Sequence, residues 1–275
     1  LARSSTRLGA SGADRLVRLG LSGQRSLSSG CCGSADGTEQ TTMQEIQAKN
    51  ARDNSANAAA ETTVKAAVGG FGLVPVNGHV RYTWRRGHGW DSGQVVTTPF
   101  MNMHVHAGVL HYGLSCFEGL KAFEGQDGHH YFCNPTANAA RMARGAERLV
   151  FPELPEEVFI NAISEAAAIN REFIPSYESK GALYIRPFMF ASGAMLGLKQ
   201  AEQFTLVVSV TPVGNYYGGA ACTQKGVRAL VVDYDRAAPR GTGHVKAAGN
   251  YAADMYALEQ ARNAGCETSM YMDAK

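Results

Sequence analysis

The most specific stretch of the sequence runs from residue 236 to residue 251 and reads RAAPRGTGHVKAAGNY. Its only lysine, Lys246, lies among small residues directly before a predicted helix. Burial of such a lysine disfavours the ammonium form, so the free amine needed for covalent chemistry becomes accessible near neutral pH. A solvated surface lysine and a phosphate-binding loop remain as alternatives, although the spacing of a Walker loop is not met.

Short strands and two helices are predicted upstream of this loop. The strands are rich in β-branched and aromatic residues between Gly, Asp or Pro turns. They run over Val80 to Trp84, Gln94 to Thr98, Leu120 to Glu124, His130 to Phe132, Ala182 to Phe190, Phe204 to Thr211 and Val227 to Asp233. One helix starts at Asn134-Pro135, where Asn suits the cap and Pro the first turn. A second runs from Pro155 to about Phe173.

A composition break over residues 213–219, rich in Gly and Tyr, predicts a connection between two domains. Residues 71–212 then form a small α/β domain, and residues 220–275 begin a larger one. That second domain offers one strand, the Lys246 loop, a helix from about Asn250 to Asn263 and a strand from Thr268 to Met272. Because so few elements cannot bury a core, we expect the second domain to be incomplete.

Composition excludes several classes of protein. The chain has 275 residues, of which 45% are hydrophobic and 18% charged, and its formal net charge is +2. This balance is too near neutral for a dedicated nucleic-acid binder. No run of eighteen apolar residues occurs, which excludes a membrane-spanning helix. The six cysteines form no C-x-x-C pair and predict reduced thiols.

The first thirty residues hold five arginines, seven serines and one acid, Asp14. This composition is typical of an organelle transit peptide, although a disordered basic tail has similar features. We therefore predict a transit peptide over residues 1–40 and a flexible linker over residues 41–70. The predicted destination is the mitochondrion, with a plastid as the alternative.

Three further motifs accompany the lysine loop, namely HYG at 111–113, FEGLKAF at 117–123 and LYIRP at 183–187. Together and in this order, they resemble the branched-chain amino acid aminotransferases over residues 75 to 275. The resemblance implies the class IV (D-amino acid aminotransferase-like) fold, with a small α/β domain and a larger pseudo-barrel domain. It also implies pyridoxal 5'-phosphate as cofactor, amino acids and 2-oxo acids as ligands, and a homodimer.

The resemblance assigns roles to individual residues. Lys246 corresponds to the lysine that forms a Schiff base with pyridoxal phosphate and then moves the substrate α-proton. Arg141 corresponds to the arginine that binds the cofactor phosphate, and Tyr251 to the tyrosine that hydrogen-bonds the cofactor's phenolic oxygen. The positions that correspond to the substrate pocket are Tyr112, Phe117, Tyr184, Arg186 and Tyr216. Arg186 would meet the side-chain carboxylate of glutamate.

Other interpretations remain open. Members of the family continue beyond the point that matches Lys275. In them, this further part carries the glutamate that faces the pyridine nitrogen of the cofactor. An inactive fragment is therefore one alternative. A D-amino acid aminotransferase or an aminodeoxychorismate lyase is another, and both share the lysine. The imidazoles of His104, His106 and His111 suggest a zinc site weakly, because no further ligand has suitable spacing, and we predict no metal site.

Overall fold

The structure, a computed structural model, describes residues 16–18, 59, 64, 72–214, 216–217, 226–238 and 240–272. For residues 16–18 it describes the backbone alone. None of the described helices is long and apolar enough to cross a lipid bilayer.

Nine described strands form one antiparallel sheet, whose central path runs in the order β1-β7-β6-β8-β9-β2-β3, with β4 paired to β2 and β5 paired to β8. The strands are β1 (Leu16–Arg18), β2 (His79–Arg85), β3 (Gly89–Trp90), β4 (Gln94–Val96), β5 (Ser115–Phe117), β6 (Leu120–Glu124), β7 (His130–Cys133), β8 (Ala182–Ala191) and β9 (Gln203–Val213). The long β8–β9 pair is the centre of the sheet, since both strands are buried along most of their length.

Helices cover one face of this sheet. They are α1 (Gly108–Tyr112), α2 (Pro135–Arg148) and α3 (Glu156–Ala168). The buried residues of α3, such as Phe159, Ile163 and Ala166, recur at helical spacing. They pack on β2, β8 and β9, while α2 packs on β5 and on α3. The opposite face of the sheet is left for the functional residues.

A second, two-stranded sheet follows residue 226. It pairs β10 (Ala229–Val232) in parallel with β11 (Thr268–Tyr271). Two short helices, α4 (Gly249–Ala252) and α5 (Met255–Asn263), lie between these strands in sequence. Helix α5 packs against both strands, as the crossover of a parallel pair requires.

Most predicted elements are present, with shifted ends. The helix expected from Pro155 to Phe173 ends at Ala168 and is followed by a 3₁₀ turn, Arg171–Phe173. The reason is Asn170, whose amide Nδ2 donates to the Ala166 carbonyl and to the carbonyl of Gly78. The side chain thereby diverts the end of the helix toward β2.

Two further predictions need correction. The helix expected over Asn250 to Asn263 is split between α4 and α5 at Asp254, whose carboxylate is bound by Ser269 and Tyr271 of β11. The start of folded sequence, placed at residue 71, is too late, because Val64 is buried in the core. A lone valine in a polar stretch has no periodicity to reveal its burial.

Other differences come from residues whose partners are distant in sequence. Strand β5 and helix α1 were not predicted at all. Nor was β1, which pairs with β7 although it lies inside the predicted transit peptide. The predicted connection at 213–219 lies largely outside the described residues, and Val213 itself ends β9. The proposed division into two domains stays a prediction.

Val150 occupies an unfavourable backbone position at the end of α2. Its φ is 57°, and its amide and that of Phe151 donate to the carbonyls of Glu147 and Ala146. This is a Schellman-type helix end, in which glycine is preferred at the left-handed position. A β-branched residue is strained there.

We predict that Val150→Gly stabilises the protein by about 1 kcal/mol, because relief of this strain outweighs the extra freedom that glycine adds to the unfolded chain. Urea unfolding of the variant and the parent measures the difference. Val150→Ala serves as the control and should change the midpoint much less, since alanine is also strained at positive φ. A lower midpoint for the glycine variant would contradict the prediction.

Candidate active site

The Lys246 segment is attached to the edge of the main sheet by backbone hydrogen bonds. The amide of Phe117 donates to the Lys246 carbonyl over 3.2 Å, and the amide of Ala248 donates to the Ser115 carbonyl over 2.9 Å. Cys116 and Ala247 face each other as an antiparallel bridge. The segment therefore acts as a short extra strand beside β5, which fixes Lys246 relative to Phe117.

Cys116 lies at the junction between β5 and the Lys246 segment, and its thiol is buried there. Cys116 is 1% exposed. Burial raises the pKa of its thiol to about 12, and the nearby charge of Glu118 acts in the same direction. The thiol therefore stays protonated at neutral pH.

The loop before Lys246 is held in shape by Asn250. Its amide Nδ2 donates to the carbonyls of Thr242 and Val245 over 2.7 Å and 2.9 Å, and its Oδ1 accepts from the Thr242 hydroxyl over 2.7 Å. A Cβ on Gly243 would lie only 2.8 Å from the carbonyl oxygen of Ala238. The small residues and the asparagine of this motif are thus needed to close the loop.

The amine of Lys246 lies among aromatic rings and a phenol. Nζ donates to the Tyr251 hydroxyl over 2.6 Å and lies 4.3 Å from the centre of the Phe117 ring. The Phe117 and Tyr251 rings are themselves 4.8 Å apart. Among the described residues Lys246 forms no ion pair, and its contacts are the Tyr251 hydroxyl and the faces of the Phe117 and Tyr251 rings.

A cavity of about 990 Å³ opens in front of this amine. It is bounded by the free face of the sheet and by the Lys246 segment. Of the predicted site residues, it brings together Lys246, Tyr251, Phe117, Tyr184, Arg186 and Tyr216. Five residues from three separate motifs therefore meet at one place together with Tyr216, which supports the sequence-based assignment.

Tyr184 and Arg186 form one unit on this wall. As alternate residues of β8 they point to the same face, and Arg186 donates from Nε and Nη2 to the Tyr184 hydroxyl over 3.1 Å and 3.0 Å. The guanidinium also lies 4.7 Å from the centre of the Phe117 ring. A Cβ on Gly119 would collide with the Tyr184 hydroxyl, so the glycine of the FEG motif makes room for this tyrosine.

Two predicted residues lie away from the cavity lining. The hydroxyl of Tyr112 accepts a hydrogen bond from the amide of Gly197 over 2.8 Å. Arg141, on α2, has a half-exposed side chain and binds the carboxylate of Glu118 through Nε and Nη2. The hydrogen bonding that Arg141 donates to the Glu118 carboxylate is the main cause that raises the pKa of Arg141, and Tyr251 and Tyr184 add to it. Arg141 is thus within electrostatic reach of two cavity residues.

Several residues of the site were not assigned from the sequence. Glu118 is fully buried beneath Arg141, and Lys121, Ser209 and Thr211 line the cavity. The alternation along β6 and β9 could have placed the last three on the cavity face. Arg236, which also received no role, lies 5.0 Å from the Tyr251 ring centre and 3.6 Å from the Asp254 carboxylate.

The three histidines weighed as zinc ligands have other contacts. The rings of His106 and His111 stack at 5.5 Å, and His111 Nε2 lies 2.8 Å from the Val105 carbonyl oxygen. Across the described ranges, no group of three or more His, Cys, Asp or Glu residues could hold a metal ion.

The chain was compared with family models and with known proteins, and it is similar to several aminotransferases. No family model matches the chain. The branched-chain-amino-acid aminotransferase of Haemophilus influenzae is 38% identical over 205 residues, which are 74% of this chain and 59% of that protein. A branched-chain amino acid aminotransferase of the fungus Glarea lozoyensis is 39% identical over 207 residues, 74% of this chain and 57% of that protein.

Solved structures show the same fold. A crystal structure of the Escherichia coli branched-chain amino acid aminotransferase matches with a TM-score of 0.57 and 25% identity, over 70% of this chain and 60% of that one. The branched-chain aminotransferase of the archaeon Thermoproteus uzoniensis, solved with norvaline, matches in fold with a TM-score of 0.54 and 24% identity, over 70% of this chain and 60% of that one. This confirms the predicted class IV aminotransferase fold. In sequence and in fold the chain is a relative of the branched-chain-amino-acid aminotransferases, and it spans about three fifths of the length of those it matches.

Proposed function

We propose that this protein is a transaminase that uses pyridoxal 5'-phosphate to exchange the amino group of leucine, isoleucine or valine with 2-oxoglutarate. The observation that carries the proposal is the Lys246 amine, which points into a cavity while hydrogen-bonded to the Tyr251 hydroxyl. The names of the relatives favour this function over a D-amino acid aminotransferase or an aminodeoxychorismate lyase.

Two residues of the cavity lining, together with Arg141 on α2, suit the proposed cofactor. Lys246 offers a primary amine for its aldehyde, and Tyr251 offers a hydroxyl for its phenolic oxygen. Arg141 offers the free edge of its guanidinium for its phosphate, since only one edge is used by Glu118. When bound, pyridoxal phosphate supplies an aldehyde that takes up amino groups and a ring that withdraws electrons from the substrate α-carbon.

Lys246 is the residue placed to move a proton. Its Nζ is the only amine of the described cavity lining that is hydrogen-bonded to a phenol, and it can accept the substrate α-proton once it is neutral. The hydroxyl of Tyr251 orients the amine, because it accepts one of the lysine protons. The stacked Phe117 ring limits the access of water to Nζ on that side.

The cavity also suits the proposed substrates. Phe117, Tyr184 and Phe188 provide apolar surface for a branched aliphatic side chain. The described lining contains three cations, Lys121, Arg186 and Lys246, and no carboxylate. This charge favours carboxylate ligands, and Arg186 is the residue we assign to the second carboxylate of glutamate or 2-oxoglutarate.

We predict that Lys246→Ala abolishes both the visible absorbance of bound cofactor and transamination, because no other amine of the described lining adjoins Tyr251. Absorbance titration with pyridoxal phosphate and leucine-dependent glutamate formation measure the two effects. Lys199→Ala, which changes an exposed lysine, is the matched control and should behave like the parent. Activity with leucine in the Lys246 variant would disprove the assignment.

We further propose that residues 1–40 direct import into mitochondria, on the support of their arginine-rich and acid-poor composition. We predict that these residues, fused to a fluorescent protein, carry the reporter to mitochondria. A fusion in which all five arginines are replaced by glutamine should stay in the cytosol. A plastid signal would favour the alternative destination, and a purely cytosolic signal for the parent fusion would reject targeting.

A homodimer is also part of the proposal. Leu110, Leu196 and Leu198 are 61%, 78% and 81% exposed. They lie on two adjoining stretches of chain, since the amide of Met195 donates to the His106 carbonyl over 2.8 Å. Exposed apolar surface of this kind is typical of a contact between subunits.

We predict that Leu196→Glu together with Leu198→Glu shifts the protein from dimer to monomer, because charge would be placed in the contact. Light scattering after gel filtration measures the mass. Met272→Glu, at an exposed position beside the second sheet, is the control and should leave the mass unchanged. A parent protein that is already monomeric would contradict the proposal.

A further inference from the structure

A fully buried carboxylate lies directly beneath the candidate phosphate-binding arginine. Glu118 follows β5 in the two-residue turn that leads into β6, and its exposed fraction is 0%. Its backbone amide donates to the Pro187 carbonyl over 2.8 Å, which ties the turn to β8. The position of the carboxylate is therefore set by the sheet itself.

Donors from three residues fix the orientation of this carboxylate. Arg141 donates from Nε to Oε1 over 2.5 Å and from Nη2 to Oε2 over 2.6 Å. Asn138 donates from Nδ2 to Oε2 over 3.0 Å, and the amide of Gly119 donates to the same oxygen over 3.2 Å. Asn138 and Arg141 are three residues apart on α2 and so share one face of the helix.

Stability does not explain such a pair well. Removing a carboxylate from water is costly, and a well-packed apolar pair of similar volume is often equally or more stable. A single-sided arrangement is also unusual, because Glu118 is fully buried whereas the side chain of Arg141 is 49% exposed. The buried Glu118 thus anchors Arg141, while part of the arginine side chain remains exposed to solvent.

The hydrogen bonds leave a defined edge of Arg141 free. A guanidinium has five N–H donors, and Glu118 takes the Nε proton and one on Nη2. The other three N–H groups, two on Nη1 and one on Nη2, have no partner among the described residues, and the Nη1–Nη2 edge is suited to two oxygens of a phosphate. A side chain that is already held in one rotamer loses less conformational entropy when it binds an anion.

We propose that Glu118 is a positioning residue that holds the Arg141 guanidinium in the orientation that binds the cofactor phosphate. This rests on the proposed function, because it takes the ligand to be a phosphate-bearing pyridoxal. The proposal adds to that function a separate role for each of two neighbouring residues of the FEG motif. Gly119 makes room for Tyr184, and Glu118 orients Arg141.

The experiment compares two ligands that differ only in the phosphate. The dissociation constants of pyridoxal phosphate and of pyridoxal are measured by absorbance titration on the full chain, for the parent and for Glu118→Gln. We expect the variant to bind pyridoxal phosphate about tenfold more weakly, the equivalent of roughly one charge-assisted hydrogen bond, and pyridoxal within about twofold of the parent. Glu147→Gln, an exposed glutamate on the same helix, is the control and should change neither constant.

Further variants separate positioning from a structural role. Arg141→Gln should show a larger phosphate-specific loss, and Glu118→Gln added to it should cause no further loss, because the two residues act as a unit. Asn138→Ala removes one donor to Glu118 and should show a smaller loss of the same kind, which tests the idea if Glu118→Gln does not fold.

The outcomes are distinguishable. If Glu118→Gln lowers the melting temperature but weakens both ligands equally, or neither, Glu118 is structural and the inference is wrong. If pyridoxal phosphate binds the parent no better than pyridoxal, Arg141 does not bind phosphate and the inference fails in the same way. If the parent binds neither ligand, the proposed function fails, and the role of Glu118 fails with it.

Discussion

The antiparallel pairing between β5 and the segment 246–248 is the contact on which the site depends. The two stretches are about 130 residues apart in sequence, yet two backbone hydrogen bonds set their register. Because register also fixes the side of the sheet to which each residue points, this pairing places the Lys246 amine against the Phe117 ring. A shift by one residue would turn the lysine away from the cavity.

Close packing around that pairing explains why small residues recur in the motifs. Gly119 leaves room for the Tyr184 hydroxyl, and Gly243 lets the lysine loop approach the Ala238 carbonyl. Asn250 then closes the loop with three hydrogen bonds from one side chain. These positions do no chemistry, but they determine where the reactive groups lie.

Charge is distributed in two layers around the site. The described lining of the cavity carries the cations Lys121, Arg186 and Lys246, whereas Glu118 lies one layer deeper beneath Arg141. Farther along, Arg236 stacks on Tyr251 and pairs with Asp254, which β11 holds through Tyr271. The second sheet is thereby connected to the phenol that contacts Lys246, and an anionic ligand would meet cations on several sides.

The sequence by itself determined the local features of this protein. Hairpin turns, the proline at a helix start and strand alternation depend on neighbours in the chain, so β6, β8, β9 and the start of α2 were predicted close to their observed positions. Asn134 precedes α2 as predicted, but its side chain makes no capping hydrogen bond. The lysine loop and the FEGLKAF and LYIRP motifs likewise indicated the similarity to branched-chain-amino-acid aminotransferases and five of the residues that line the cavity.

Only the tertiary structure decided what depends on distant partners. Strand β5 is short and forms because β8 and the Lys246 segment lie on either side of it. The burial of Val64, the contact of Tyr112 with Gly197 and the Glu118–Arg141 pair have no local periodicity that could reveal them. The physical reason is that a side chain's burial and hydrogen-bond partners are set by chain segments that only folding brings together.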